Sequence, residues 1–75
     1  MNQLHDHSKH LLNQLRNSFT NLDEFKYAVI EFKNSLMIGV YENVIIGIEE
    51  DLDNMNELPD TETYYQELID ELERC

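Results

Sequence analysis

The sequence predicts an all-α protein: a small antiparallel bundle of three helices, ordered short, long or kinked, short, whose core a second copy of the chain could complete. Three observations predict it. Apolar residues recur at intervals of three and four through most of the chain, as one face of a 3.6-residue helix requires. Two glycines and one proline in 75 residues are too few to punctuate the hairpins of a β-sandwich. Helix-capping side chains stand where the apolar runs begin.

The first helix covers residues 2–19, where Leu4, Leu11, Leu12, Leu15 and Phe19 form one narrow stripe. Asn21 then stands three residues before Glu24, a capping-box pair that starts the second helix at residue 22. That helix reaches residue 57, with a candidate break at 33–35. At about 100° per residue, the apolar positions from Leu36 to Leu58 share an arc of roughly 200°, with only Ile46 outside it. Glu42, Asn43, Glu49, Glu50, Asp53 and Glu57 fill the other side. Leu22, Phe25, Ala28, Val29 and Phe32 lie on an arc rotated by roughly a third of a turn. Either the helix breaks near Asn34-Ser35, or one rod packs its two halves against different neighbours.

An α+β fold with a central three-stranded meander is the alternative for this stretch. Tyr27 to Phe32, Leu36 to Tyr41 and Val44 to Ile48 are rich in β-formers. Its turns, Asn34-Ser35 and Glu42-Asn43, would contain no glycine, while Gly39 and Gly47 would fall inside strands, so the helical reading fits better. Leu58-Pro59-Asp60-Thr61 ends the run and caps a last helix over 61–74, in which Tyr64, Tyr65, Leu68, Ile69 and Leu72 form a stripe.

The chain, 1–75, reads as one helical domain. At this length about 60 per cent of the unfolded surface is hidden on folding, so regular packing or a partner subunit has to add stability. Cys75 is the only cysteine and cannot form an internal disulfide; a single thiol suits a reducing cytoplasm. The N-terminal residues resemble neither a signal peptide nor a membrane span, so a cytoplasmic location is expected.

Charge is the most informative property. The chain carries a net −11, all of it in residues 42–75, where twelve acids accompany one base, Arg74; residues 1–41 hold four acids and four bases. Such a balance disfavours direct binding to nucleic acid or an anionic membrane and favours a basic protein partner. Glu42, Glu49, Glu50, Asp53, Glu57, Glu67, Asp70 and Glu71 are the candidate partner-binding acids. On a helix, the acids from Glu49 to Glu57 would place roughly one charge per 3 Å, close to the spacing along a nucleic-acid strand. A solvated, solubilising face is the competing reading.

The apolar arc is wider than one short helix can cover, which makes Ile38, Tyr41, Ile45 and Ile46 a candidate interface for a homodimer or a partner helix. The competing reading is core beneath both flanking helices. Gly39 and Gly47 either admit a second backbone or are tolerated helix glycines costing about 1 kcal/mol each.

No catalytic constellation emerges, and no enzyme activity, metal or cofactor is expected. His5, His7, His10 and Asp6 are metal-ligating residue types, but on a helix His5 points away from the other two. Asp51 to Glu62 has the length of an EF-hand loop, yet Met55 and Asn56 occupy its fifth and sixth positions. The four tyrosines lack the basic neighbours of a base-stacking platform.

These readings converge on a small acidic, non-enzymatic binding protein. It is expected to inhibit or regulate by docking its acidic half on a basic, nucleic-acid-binding surface, as a DNA mimic of the kind used by phage and antitoxin systems. The alternatives are a structural or assembly protein acting through the apolar interface, and a divalent-cation binder.

Overall fold

Among the described residues, capping chemistry and one glycine set the boundaries of four helices, not three: α1 (Asp6–Gln14), α2 (Leu22–Ser35), α3 (Glu42–Asn54) and α4 (Thr61–Arg74). The computed structural model describes residues 4–74, and no strand occurs among them, which removes the meander. Residues 2 and 3 of the expected first helix, and Cys75, lie outside the described residues.

Helix α1 is shorter than its apolar stripe. After Gln14 the backbone tightens, and the N–H groups of Leu15, Arg16 and Asn17 each bond the carbonyl three residues back at 3.1–3.2 Å. Phe19 therefore lies in the connection. It keeps its apolar role there, edge-on to Phe25 with ring centroids 5.2 Å apart.

Asn21 caps α2 as its position implies, its side-chain oxygen accepting from the Asp23 N–H at 2.8 Å. The helix ends at Ser35, whose hydroxyl bonds back to the Phe32 carbonyl at 2.6 Å and so competes with the main-chain ladder. Ser8, a buried polar residue of α1, donates to the exposed end of that ladder, the Ser35 carbonyl, at 3.2 Å. This bond ties α1 to the end of α2.

The expected long helix over 22–57 is interrupted from Leu36 to Tyr41. Gly39 adopts φ +93°, a conformation that L side chains rarely take, within a turn closed by Val40 N–H to Met37 carbonyl at 3.3 Å. The interruption lies just past the candidate break at 33–35. A continuous helix over that span would be about 54 Å long, whereas the longest dimension of the molecule is 33 Å. Because α2 and α3 are separate helices, their apolar arcs need not share a direction on the wheel.

The second expected boundary is real but earlier. Helix α3 stops at Asn54, and residues 55–60 form the connection to α4. Asp60 caps α4, accepting from the Glu62 and Thr63 N–H groups at 3.1 and 3.4 Å.

Each helix packs against the next in the chain. The core comprises Leu12 and Leu15, Phe25, Val29, Phe32 and Leu36, Tyr41, Val44 and Ile48, and Tyr64, Leu68 and Leu72. Phe25 is at its centre, stacking edge-to-face on Tyr64 at 5.6 Å as well as on Phe19. The bundle closes where Arg16 pairs with Glu62 at 3.1 Å and lies 4.8 Å from the centroid of the Tyr65 ring.

Candidate partner-binding surface

All twelve acids of residues 42–75 are exposed, and none is used in the core. They belong to two helices and the short connection between them, so their positions are set by backbone packed on a common core. The eight expected partner-binding acids do not share one face. Glu42, Glu49, Glu50 and Asp53 occupy the outer arc of α3, with the half-exposed Ile46 among them. Glu57 is not helical but sits in the α3–α4 connection, because α3 ends three residues before it. Glu67, Asp70 and Glu71 belong to α4.

Glu49 pairs with the Lys33 ammonium of α2 at 3.4 Å. Bringing α2 beside α3 creates this pair, which is why spacing along the chain gave no sign of it. Glu71 approaches α3 closely: a methyl group added at Gly47 would lie 3.7 Å from its Oε2. Gly47 thus sits at the α3–α4 seam and Gly39 in a turn, which answers the question of what the two glycines do.

Two residues at this seam were not among the expected site residues. Asp51 is exposed on α3, and Tyr64 of α4 is 7% exposed. The Tyr64 hydroxyl is buried beside the Asp51 carboxylate. Burial, followed by the charge and hydrogen bond of Asp51 and the charges of Glu67 and Glu71, pushes this phenol well above its ordinary range. A spacing signal for Asp51 exists in the sequence: it stands seven residues after the buried Val44, about two helical turns, and so borders the core stripe. Beside Tyr64 a cavity of about 480 Å³ opens under the α3–α4 connection, lined also by Asp51, Asn54, Asn56, Glu57 and Glu67.

The expected apolar interface divides. Ile38 is 87% exposed and Ile46 47%, whereas Ile45 packs partly against the core. Tyr41 has to be removed from it: at 3% exposure its ring belongs to the core, because the turn at Gly39 folds the start of α3 back onto α2. Met37 and Val40 join Ile38 as exposed apolar residues of that turn.

The histidines His5, His7 and His10 are exposed, and among the described residues no three His, Cys, Asp or Glu side chains are grouped to hold a metal ion. Asp51 to Asn54 being helical also removes the geometry of an EF-hand loop. No helix among the described residues is long and apolar enough to cross a membrane. Comparison with protein-family models, curated proteins and solved structures finds no match to the chain.

Proposed function

We propose that this chain is a small, acidic, non-enzymatic binding protein of the cytoplasm that docks its α3–α4 half on the basic surface of a nucleic-acid-binding protein. It acts as an inhibitor or regulator by occupying the groove that a polyanion would fill. One observation carries the reading: twelve exposed carboxylates are mounted on two adjoining helices and their connection, while four of the five bases are confined to residues 1–41. Concentrating like charge on folded elements costs stability through self-repulsion. A solubilising role would be served equally well by acids spread over the whole chain.

The test is affinity capture with the immobilised chain and a variant carrying Glu42→Gln, Glu50→Gln, Asp53→Asn and Asp70→Asn. The wild type should retain a protein that the variant releases, and the retained protein's own nucleic acid should compete it off. Equal retention by both baits, or no competition by nucleic acid, would refute the reading.

The exposed turn residues Met37, Ile38 and Val40 favour a second reading, an apolar contact with another copy or a partner helix. Light scattering of concentrated protein in high salt, where charge repulsion is screened, distinguishes it: a dimer supports this contact and a monomer opposes a homodimer.

A further inference from the structure

We infer that the groove between α2 and α3 seats an amphipathic helix of the basic partner, with its apolar stripe on the isoleucines of the groove and its basic flank along α3; this rests on the docking reading and specifies the segment that is recognised.

The exposed apolar surface of the chain is as unevenly placed as its charge. Every large apolar side chain exposed among the described residues belongs to α2, to the turn at Gly39 or to α3: Tyr27, Ile30, Met37, Ile38, Val40 and Ile46. Apolar residues gathered in this way mark an interaction site, whereas single ones scattered over a surface need no explanation. Two hollows, of about 460 and 190 Å³, lie along the seam of α2 and α3 on either side of the Lys33–Glu49 ion pair, which lines both. Ile30 and Leu52 wall the first, and Leu36, Ile38 and Ile45 the second. Leu36 is buried and Ile45 and Leu52 partly so, which gives the groove an apolar floor, while Ile30 and Ile38 stand exposed at its edge.

The charges on the same walls decide which segment fits. Glu49 and Asp53 line the groove from α3, and Glu42, Ile46, Glu49 and Asp53 follow one another at intervals of four, three and four, as one stripe of a helix. The base on these walls is Lys33, whose side chain is 19% exposed and already held by Glu49. An entering segment therefore meets isoleucine on the side of α2 and its turn, and an excess of carboxylate along α3. A helix with apolar residues at intervals of three and four, and lysine or arginine beside them, complements both. About 14 residues, roughly 21 Å of helix, would span the groove, since α3 has 13 residues. No strand edge exists among the described residues for an extended segment to join. A second copy fits less well: its matching face would gather Glu49 and Asp53 of both chains around two Lys33 ammoniums, four carboxylates to two bases, between chains of net charge −11.

A peptide of about 18 residues built from leucine, lysine and alanine, with its leucines at intervals of three and four, tests the assignment against a scrambled isomer of equal charge. Calorimetric titration of the full chain at physiological salt should show the amphipathic isomer binding about tenfold more tightly or better. Amide NMR shifts of the labelled chain should concentrate on residues 27–53. Ile30→Ser combined with Ile38→Ser should weaken the amphipathic isomer by about tenfold and leave the scrambled one unchanged, with the thermal midpoint held, because both side chains are exposed. Should that pair lose stability, Ile38→Ser alone, at the most exposed of these positions, should still cost a few-fold. Equal binding of the two isomers, or shifts spread over the acids of α4, would overturn the proposal by showing only attraction between opposite charges. Equal binding of an amphipathic peptide with glutamate in place of lysine would overturn the basic flank. A dimer of the chain alone in high salt that the peptide fails to dissociate would overturn the partner helix in favour of a second copy. Partner capture that survives the Ile30→Ser/Ile38→Ser pair, which changes no charge, would overturn the groove as the partner's seat while leaving docking through the carboxylates intact.

Discussion

Replacing Gly47 and Gly39 by alanine, one at a time, separates a two-helix arrangement of residues 22–54 from a continuous rod. Gly47 lies within α3, and a methyl group there meets only the Glu71 carboxylate oxygen at 3.7 Å, an ordinary contact. Alanine is favoured over glycine in a helix interior by about 0.8–1.0 kcal/mol, so Gly47→Ala should stabilise the fold by that amount. Gly39 has open space around it but sits at φ +93°. Placing alanine in left-handed backbone costs about 1–2 kcal/mol, partly offset by its smaller unfolded-state entropy, so Gly39→Ala should destabilise by about 1 kcal/mol. The two variants would then differ by about 2 kcal/mol, or some 8–16 °C in thermal midpoint for a domain of this size. Thermal and urea unfolding followed by far-ultraviolet circular dichroism measures both. A rise in stability in both variants would mean that residues 36–41 continue the helix, and would refute the account of the break.

Other perturbations test separate parts of the fold. Ser8→Ala removes the only donor given to the Ser35 carbonyl by α1, and should lower unfolding free energy by about 1–2 kcal/mol in urea titrations. Because the phenol of Tyr64 titrates above its ordinary value of about 10, the folded state holds its proton longer than the unfolded chain. Stability should accordingly be level below that pH and fall as pH rises beyond it, with a shallower fall in Tyr64→Phe when midpoints are compared across the alkaline range. Added sodium chloride should raise the thermal midpoint of the free protein, since it screens repulsion among the carboxylates of α3 and α4; a fall would mean that ion pairs such as Arg16–Glu62 outweigh that repulsion.

What could be read from the sequence depended on range. Asn21 and Asp60 act within three residues of themselves, and both cap the helices their positions announced. The stripes of α2 and α4 are likewise local, and Phe25, Val29, Phe32, Leu68 and Leu72 are buried as their spacing requires. The turn at Gly39 was hidden because Met37, Ile38 and Val40 continue the apolar pattern on a wheel although all three face solvent. Apolar character alone does not distinguish a core position from an exposed turn. The polar contacts that matter most join distant residues: Ser8 with Ser35, Lys33 with Glu49, and Asp51 beside Tyr64. Each depends on how helices are packed, which periodicity does not encode. The acidic bias of residues 42–75 was plain from composition, whereas its division between the outer arc of α3, the connection and α4 required the fold.

The salt dependence of the dissociation constant for the captured partner tests the central claim most directly. If exposed carboxylates of α3 and α4 fill a basic groove, affinity should fall steeply and log-linearly with salt concentration, and the slope should flatten in the variant neutralised at Glu42, Glu50, Asp53 and Asp70. An affinity that stays level across the same salt range, with equal slopes for wild type and variant, would contradict the claim and return the interaction to the apolar turn at Met37, Ile38 and Val40.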